Sequence, residues 1–313
     1  MEGTDGMRTI NTAIVTGPTG GIGHALCSRL LREGITVYAV AHPGSPRAAT
    51  LPDGLLRIDC DLSEMSRLPQ LVPGADALFH LAWAKTVGAG RNDMYAQTDN
   101  IRYTLDVCRA AAALGCKVFV GAGSQAEYGR TDGALTPETP CFPESGYGMA
   151  KLCAGQMSRI ECEKLGIAHV WPRILSVYGP FCEERSMLLS TARLLLAGKK
   201  PSLTAGEQLW DYLYVDDAAE ALYCLALYGH SGRVYPIGSG KVCPLRAYVE
   251  ILRDAVDPAL PLGFGEVPYG AGQLMHLEAD THALEKDTGF QPKIDFAEGV
   301  RRMVEWMRGN GDA

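Results

Sequence analysis

The sequence predicts an α/β fold, built on a doubly wound parallel sheet with a smaller C-terminal α/β cap. Two observations predict it. Short apolar runs alternate with helical stretches from Thr12 onward, and a glycine-rich turn joins the first apolar run to the first helix. Because right-handed crossovers return each helix onto the sheet, this alternation builds a parallel sheet with helices on both faces.

The predicted elements follow a regular order through the first half of the chain. They are the strand TAIVT, the helix HALCSRLLREG, the strand TVYAVA, a helix-like segment, the strand ALFHLAW, the helix 99–114, the strand KVFVGAG, the helix 147–165 and the strand AHVWPRI. After about residue 176 the rhythm breaks, and the later helices are predicted near 187–197, 216–227, 247–256 and 297–307. We therefore expect a sheet domain over residues 10–176, with returning segments near 210–240, and a cap that fills most of 177–313 and is interwoven with it.

The composition argues against several classes of protein. Of the 313 residues, 47% are hydrophobic and 21% are charged, which is the balance of an ordinary globular chain. The net charge of -7 gives no overall basic field for nucleic acid, and no apolar run reaches the roughly 18 residues needed to cross a bilayer. The opening residues are polar, so a cytoplasmic protein is expected. The ten cysteines show no CxxC pair and no Cys/His spacing typical of zinc, so we expect reduced thiols and no metal site.

The glycine-rich turn has the spacing of a phosphate-binding loop. The strand TAIVT leads into GPTGGIG at 17–23 and then into an amphipathic helix, so backbone N–H groups point out of the turn. Gly17 allows the tight turn, Gly20 lets a phosphate approach the backbone, and Gly23 lets the helix pack on the strand. The sequence therefore predicts a Rossmann-type dinucleotide site with the loop residues Gly17, Thr19, Gly20, Gly21, Ile22 and Gly23.

The end of the second strand bears on which dinucleotide binds. An NAD site usually has an acidic residue there that binds the ribose hydroxyls, but this strand ends in the acid-free segment AHPGSPR at 41–47. A carboxylate would repel a 2′-phosphate, whereas Arg47 offers it a charged fork. We therefore expect His42 and Arg47 to contact the coenzyme and favour NADP over NAD, while a solvated loop role for Arg47 stays open.

Three residues have the pattern of a proton-transfer site. Tyr147 and Lys151 are four positions apart, which places both on one face of a helix that begins near Ser145. A neighbouring ammonium is expected to lower the pKa of the phenol and make it a usable proton donor near neutral pH. Ser124 follows the strand KVFVGAG, where the carboxyl end of a parallel strand meets the cleft. We predict Ser124, Tyr147 and Lys151 as the catalytic residues.

Several motifs follow one another in a characteristic order along nearly the whole chain. They are GPTGGIG at 17–23, Asp61-Leu62, HLAWA at 80–84, DNIRYT at 99–104, SQAEYG at 124–129, YGMAK at 147–151, PRILSVYGP at 172–180 and WDYLYVDDAAEA at 210–221. With them the chain resembles the extended short-chain dehydrogenase/reductase family of nucleotide-sugar epimerases, dehydratases and 4-ketoreductases. The resemblance implies that Tyr147 is the acid/base at the sugar oxygen, that Ser124 bonds the same oxygen and that Lys151 binds the nicotinamide ribose. It also implies further coenzyme contacts from Asp61, Leu62, Leu81, Ala82, Asn100 and Pro172.

Departures from the family pattern narrow the expected chemistry. Dehydratases of this family carry an Asp-Glu pair directly after the Ser/Thr, and here those positions hold Gln125 and Ala126. The elimination machinery is therefore missing. A 3,5-epimerisation would need a second acid/base pair, for which Cys141, Cys182 or His169 could be invoked.

The expected substrate contacts also follow from the resemblance. The family's usual Arg-Asp-Phe before the VDD segment reads Trp210-Asp211-Tyr212, and the asparagine of its NVYGP motif is Ser176. Both changes lie where family members hold the nucleotide diphosphate, so the nucleotide's identity stays open. The candidate contacts are Trp83, Lys85, Gln125, Ser176, Tyr178, Arg185 and Trp210, with Arg91 in the same loop as Lys85.

The resemblance is strongest to reductases of the CDP-abequose synthase type, through SQAEYG and the stretch FGEVPYGAGQLMHLEAD at 264–280. It implies NAD(P)-dependent reduction of the 4-keto group of a nucleotide-linked 4-keto-6-deoxyhexose, with Tyr147 as proton donor. Two alternatives stay open: a 4-epimerase that uses tightly bound NAD with the same triad, and a non-catalytic dinucleotide sensor. The helices 99–114 and 147–165 correspond to those that form the dimer contact of relatives, which implies a homodimer.

Overall fold

The computed structural model describes residues 7–183 and 185–309, and within them the chain has the predicted α/β architecture. Its strands are β1 (Thr12–Thr16), β2 (Thr36–Ala41), β3 (Leu56–Asp59), β4 (Ala77–His80), β5 (Val118–Gly121), β6 (Gly123–Ser124), β7 (Ala168–Ile174), β8 (Ser176–Tyr178), β9 (Ser202–Leu203), β10 (Leu209–Trp210), β11 (Tyr212–Tyr214), β12 (Arg233–Ile237), β13 (Cys243–Pro244), β14 (Gly263–Phe264) and β15 (His276–Leu277). The large sheet has the order β12-β7-β5-β4-β1-β2-β3, with β6 beside β7, and its strand pairs are parallel.

This strand order confirms the doubly wound prediction. The chain runs outward from β1 to β3 on one side of the sheet and outward from β4 to β12 on the other. At such a reversal the loops after neighbouring strands diverge and open a crevice at the carboxyl ends of the strands. The glycine-rich turn follows β1 and therefore lies at this crevice.

The central strands are apolar on both faces because helices cover both faces of the sheet. Side chains alternate across a strand, so Ala13 and Val15 of β1 belong to one buried cluster while Ile14 belongs to another. Strands β4 and β5 are buried along their whole length. A continuous apolar run, rather than an alternating one, is typical of such a doubly covered parallel sheet.

Most of the helices agree with the predicted segments. The helices are α1 (Gly21–Arg32), α2 (Leu68–Leu71), α3 (Met94–Ala113), α4 (Gly146–Leu165), α5 (Met187–Leu196), α6 (Val215–Tyr228), α7 (Leu245–Val256), α8 (His282–Thr288) and α9 (Phe296–Gly309). However, α1 begins three residues before the predicted HALCSRLLREG, α8 was not predicted, and α3 begins earlier than expected. Helix α3 begins at Met94 and not at residue 99, because the Asp93 carboxylate accepts the N–H of Ala96 at 3.2 Å and caps the extra turn.

Helix α4 is bounded by two local signals. The Ser145 hydroxyl accepts the N–H of Gly148 at 3.1 Å and caps its start. The helix ends at Gly166, whose φ of 70° is the left-handed conformation that favours glycine. These limits fix the first turns of α4, which carry Tyr147 and Lys151, at the carboxyl edge of the sheet.

One C-terminal strand belongs to the large sheet, and the other short strands of this part of the chain form separate ladders. Strand β12 pairs with β7 as an edge strand of that sheet, while short ladders join β10 to β13 and β15, β8 to β11, and β9 to β14. The buried carboxylate of Asp211 accepts the N–H groups of Ser239 at 2.7 Å, Gly240 at 3.0 Å and Ala279 at 3.2 Å. One carboxylate thus connects three segments that are distant in sequence.

Candidate active site

The glycine-rich turn has no room for a side chain at two of its positions, Gly17 and Gly23. Gly17 has a φ of 71°, and a Cβ there would lie 2.8 Å from the backbone nitrogen of Ala82. A Cβ at Gly23 would lie 2.2 Å from the carbonyl oxygen of Gly17. A Cβ at Gly20, in contrast, would meet nothing closer than 3.8 Å, so this glycine is not required by packing. The turn therefore leaves open space above Gly20, at the N-terminus of α1, where an anion is favoured.

Two cavities lie on either side of this turn. The first, which we call the sheet-edge cavity, has a volume of about 450 Å³ and lies over the ends of β2 and β3. Of the predicted coenzyme residues, Gly17, Thr19, Gly20, His42, Asp61, Leu62, Leu81 and Ala82 line it. His42 Nε2 lies 3.3 Å from Asp61 Oδ2, so the polar groups at this edge form a pair.

The second, which we call the triad cavity, has a volume of about 330 Å³ and contains the predicted catalytic residues. Ser124, Tyr147 and Lys151 line it together with Gly17, Gly20, Gly21, Ile22 and Gly23. The fold thus brings the glycine turn and the triad, more than 100 residues apart in sequence, to one cavity.

Three predicted coenzyme residues do not line either cavity. The Asn100 amide is buried and bonds both backbone groups of Ala84 at 3.0 Å, so it holds the loop after β4 and not a ligand. Pro172 lies inside β7, opposite Tyr235, while Ile174 and Leu175 further along the chain line the triad cavity.

Arg47 is the third. Its Nη1 donates to the carbonyl oxygen of Phe181 at 3.3 Å, which connects the loop after β2 to the loop before α5.

The triad side chains have distinct partners. Lys151 Nζ donates to the carbonyl oxygen of Ala122 at 2.6 Å and lies 3.6 Å from the centroid of the Trp83 ring. The Ser124 hydroxyl accepts the N–H of Ala126 at 3.2 Å and shares a hydrogen bond with the side chain of Tyr147, and both residues line the triad cavity. The same Lys151 nitrogen lies 5.9 Å from the centroid of the Tyr147 ring.

Burial is the largest influence on the pKa values of Lys151 and Tyr147. It lowers the pKa of Lys151 to about 7, against a smaller opposing effect of the Glu127 carboxylate. Burial also raises the pKa of Tyr147, while a hydrogen bond with Ser124 and the charge of Arg91 lower it. The net shift of the Tyr147 pKa therefore runs opposite to the expected lowering by Lys151, because burial outweighs the charges near the phenol.

A buried ion pair lies behind Ser124 that the sequence analysis missed. Glu127 is fully buried, accepts the N–H of Ser124 at 2.8 Å and forms an ion pair with Arg173 at 2.7 Å. Trp171 Nε1 also donates to it at 3.1 Å. The Ser-x-x-Glu spacing of Ser124 and Glu127 is the signature of a capping box, which the structure contains. That spacing was the signal that could have identified Glu127.

The predicted substrate contacts separate into two groups. Trp83 lines both cavities, and Trp210 lines a third cavity of about 340 Å³ within the cap. Ser176 does not line this third cavity but is connected to it, because Trp210 Nε1 donates to the Ser176 hydroxyl at 2.8 Å. The described residues that line this cap cavity are apolar or neutral: Met187, Ser202, Leu203, Thr204, Gly206, Gln208, Trp210, Tyr212, Leu245, Val249, Phe264, Val267 and Gln273.

The other candidates lie outside the described cavities. Tyr178 is buried and donates to the carbonyl oxygen of Phe296 at 3.2 Å, so it is a core residue and not a substrate contact. Lys85 is an exposed loop residue with a φ of 61°, and Arg185 is exposed, its N–H donating to Glu183 at 3.2 Å. Gln125 is half-buried at the start of a 3-10 turn.

The groups invoked for a second acid/base pair are poorly suited to it. His169 is buried between the rings of Phe119 and Trp171 and lines neither the triad cavity nor the sheet-edge cavity. Cys182 does line the triad cavity, but burial raises the pKa of its thiol to about 12. Cys141 is half-buried, and burial raises its pKa as well.

Neither a metal-binding cluster nor a membrane-spanning helix is found within residues 7–183 and 185–309. No group of three or more His, Cys, Asp or Glu side chains is arranged there to hold a metal ion. None of the helices in these ranges combines the length and the apolar character needed to span a bilayer.

Comparisons with known proteins agree with this architecture. The model of the NAD dependent epimerase/dehydratase family matches residues 13–238. Over 309 residues the chain is 25% identical to the dTDP-glucose 4,6-dehydratase of Streptomyces griseus, with 94% of this chain and 93% of that protein covered.

Solved structures give the same result for the fold. The UDP-glucose 4-epimerase of Thermotoga maritima with UDP-glucose superposes with a TM-score of 0.85 at 23% identity, covering 96% of this chain and 99% of that one. RMD of Pseudomonas aeruginosa complexed with NADPH superposes with a TM-score of 0.81 at 22% identity, with the same coverage.

Proposed function

Because the chain belongs to the NAD dependent epimerase/dehydratase family, we propose that it reduces the 4-keto group of a nucleotide-linked 4-keto-6-deoxyhexose with NAD(P)H. The observation that carries the proposal is the triad cavity, in which Ser124, Tyr147 and Lys151 share one lining with the glycine turn. A dinucleotide fits the turn, since backbone N–H groups and open space lie above Gly20, where a side chain would take the room of a phosphate.

The proposed reaction divides its work between coenzyme and protein. A reduced nicotinamide, when bound, would supply the hydride for the carbonyl carbon. Tyr147 gives its phenolic proton to the carbonyl oxygen as negative charge forms there, and a phenolate remains on the protein. The Ser124 hydroxyl, which lines the same cavity, donates a hydrogen bond to the same oxygen and so holds it beside the phenol.

The two residues after Ser124 favour reduction over elimination. Gln125 and Ala126 carry no titratable group that could protonate a leaving hydroxyl or take a proton from carbon. The neutral thiol of Cys182 does not replace them near neutral pH, because burial raises its pKa to about 12. The chain therefore keeps the residues of a hydride-transfer site and lacks those of a dehydratase.

A 4-epimerase is the second candidate. Its support is the likeness to the UDP-glucose 4-epimerase structure, which extends over 96% of this chain. An epimerase would use Tyr147 in both directions, first removing and then returning the proton at the sugar oxygen. It would leave the coenzyme unchanged overall.

One assay distinguishes the two. Purified protein is mixed with NADPH or NADH and a panel of CDP-, dTDP-, GDP- and UDP-linked 4-keto-6-deoxyhexoses, and absorbance at 340 nm is followed. Stoichiometric loss of absorbance with one keto sugar supports the reductase. Flat absorbance across the panel, together with interconversion of a UDP-sugar and its C4 epimer, would establish the epimerase instead.

For the coenzyme we propose NADP in preference to NAD. The end of β2 offers His42 and the guanidinium of Arg47 but no carboxylate, and the RMD structure contains NADPH. If Arg47 binds the 2′-phosphate, Arg47→Gln raises KM for NADPH about tenfold, the loss of one charged hydrogen bond, and leaves KM for NADH unchanged. An equal rise for both coenzymes would point to a role in the loop contact with Phe181.

We also propose a homodimer through α3 and α4. Met149, Met157 and Ile160 form an exposed apolar stripe along α4, 51%, 42% and 45% exposed in the single chain. A self-complementary patch of this kind on paired helices suits a two-fold interface. Sedimentation velocity should give a dimer for the native chain and a monomer for Ile160→Glu; a native monomer at micromolar concentration would refute the proposal.

A further inference from the structure

Two cations approach the ring of the catalytic tyrosine, and the nearer one is not the lysine. The guanidinium carbon of Arg91 lies 4.4 Å from the centroid of the Tyr147 ring, whereas Lys151 Nζ lies 5.9 Å away. A guanidinium keeps its proton across the accessible pH range. Arg91 therefore presents a permanent charge to the phenol.

Lys151 is less able than Arg91 to keep a positive charge beside the phenol of Tyr147. Its Nζ is engaged by the carbonyl oxygen of Ala122 and lies over the Trp83 ring. Burial lowers the pKa of Lys151 to about 7, so a substantial fraction of the ammonium is uncharged near neutral pH. The electrostatic support that Lys151 gives to the phenol is thus incomplete near neutral pH.

The segment that carries Arg91 is attached to the start of α4. The side-chain oxygen of Asn92 accepts the N–H of Gly146, the residue before Tyr147, at 2.9 Å. A Cβ at Gly146 would lie 3.1 Å from the carbonyl oxygen of Arg91, so the two segments are in close contact. Gln97 closes the loop by donating to the carbonyl oxygen of Gly90 at 3.0 Å.

The charge of Arg91 is not neutralised by a neighbouring carboxylate in the described part of the chain. Its partners there are the Tyr147 ring and the carbonyl oxygen of Thr86, a long contact of 3.5 Å. The arginine is half-buried, and Thr86 lines the triad cavity. A half-buried, uncompensated guanidinium against an aromatic ring is attracted to negative charge that forms on that ring.

We propose that Arg91 is a positioning residue for Tyr147, holding the ring by its face and stabilising the phenolate that proton transfer leaves behind. The proposal rests on the proposed function in taking Tyr147 as the proton donor. The charge of Arg91 is among the causes that lower the pKa of Tyr147 against burial, which agrees with this role.

The first test reads the phenol directly and needs no substrate. The protein is labelled with tyrosine carrying 13C at Cζ, the Tyr147 resonance is assigned by its loss in Tyr147→Phe, and its shift is followed from pH 7 to pH 11 without coenzyme. Arg91→Gln should move the titration upward by about one pH unit or more, which is read as a smaller ionised fraction of Tyr147 at pH 11 than in the native chain. The Tyr147 titration in Arg91→Lys should lie between those of the native chain and Arg91→Gln, because lysine keeps a charge but not the planar stack.

Arg29→Gln is the matched control. The Arg29 guanidinium also lies 4.4 Å from a tyrosine ring, that of Tyr223, and neither residue lines the described cavities. The Tyr147 titration should be unchanged in Arg29→Gln. An unchanged titration in folded Arg91→Gln, or an equal shift in Arg29→Gln, would overturn the proposal.

The second test uses turnover of the keto sugar. Reduction needs the protonated phenol, so kcat falls above its pKa, and Arg91→Gln should lower kcat about tenfold at pH 7 and move this fall to higher pH. A raised KM with an unmoved pH profile would make Arg91 a substrate contact and overturn the proposal. If the native chain turns over no keto sugar, the proposed function fails while the titration still decides the role of Arg91.

Discussion

The carboxylate of Glu127 accepts the backbone N–H of Ser124 across 2.8 Å, and Ser124 lines the triad cavity. The same carboxylate is paired with Arg173 of β7. Ser124 is thereby fixed through its backbone, so its hydroxyl is positioned independently of any ligand. Pre-formed placement of a hydrogen-bond donor avoids reorganisation when charge develops on the substrate oxygen.

Glu127→Gln is expected to destabilise the fold strongly. The amide cannot balance the charge of Arg173, which would remain buried and unpaired, and breaking a buried pair in this way costs about 3 kcal/mol or more. Urea unfolding measures the change in the free energy of unfolding. Glu64→Gln, which removes an exposed partner of Arg67, serves as control and should change it by less than about 1 kcal/mol. Equal midpoints for Glu127→Gln and the native chain would show that the pair adds no net stability.

Two glycine substitutions should separate folding from coenzyme binding. Gly23→Ala places a Cβ 2.2 Å from the carbonyl oxygen of Gly17 and should lower the melting temperature. Gly20→Ala meets nothing closer than 3.8 Å, so the fold should be kept, but its methyl group enters both cavities beside the turn. Calorimetric titration should then give at least a tenfold weaker Kd for NADPH. Native affinity in Gly20→Ala would exclude the turn as the pyrophosphate site.

Lys151 should make stability rise with pH above neutrality. Burial lowers its pKa to about 7, whereas an unfolded lysine titrates near about 10.4, so between these values the unfolded chain binds more protons. The native chain should therefore gain about 2 kcal/mol in the free energy of unfolding, relative to Lys151→Met, between pH 7 and pH 9. Lys117→Met, at an exposed lysine, should show a constant offset from the native chain. Parallel curves for Lys151→Met would contradict a depressed pKa.

Tyr147→Phe should abolish turnover without preventing coenzyme binding. The ring and its contact with Arg91 remain, but the proton donor is lost, which corresponds to a fall in kcat of about 100-fold or more. Fluorescence titration with NADPH should give an unchanged Kd. Tyr95→Phe, at a tyrosine that is 88% exposed, is the control and should keep full activity. Residual turnover of Tyr147→Phe near the native rate would assign the proton to another group.

Many of the strands and helices could be predicted because the spacing of their apolar residues is characteristic of each type of element. The five predicted strands and α4 follow from apolar runs and from caps such as Ser145 and Gly166. Strand β3 was not predicted, because it is largely exposed and has no apolar run. The start of α3 could not be predicted because its first turn, MYAQT, has no apolar pattern and depends on the Asp93 cap. Local pattern identifies an element well when the element itself supplies the stabilising contacts.

The site could be predicted only in part, because some roles depend on approach in three dimensions. Tyr178 follows a motif that leads into the cap, but its ring turns into the core against Phe296. The contact of Arg91 with Tyr147 joins a loop to a helix more than 50 residues away, and spacing carries no sign of it. That Ser124, Tyr147 and Lys151 lie at one cavity could be predicted, because they have fixed positions at the end of a strand and on the first turns of α4.

The position of Asp211 has a consequence for how this enzyme can change. Its buried carboxylate connects the strand that carries Trp210, a residue of the cap cavity, to the segments that hold Ser239 and Ala279. Strand β12, just before Ser239, completes the edge of the large sheet. A fragment that ends at residue 176 would lack this strand and leave β7 as an edge of the sheet. A substitution that displaces the strand of Trp210 therefore also disturbs the contacts of Asp211 with two distant segments, so the shape of the cap cavity and the stability of the chain change together.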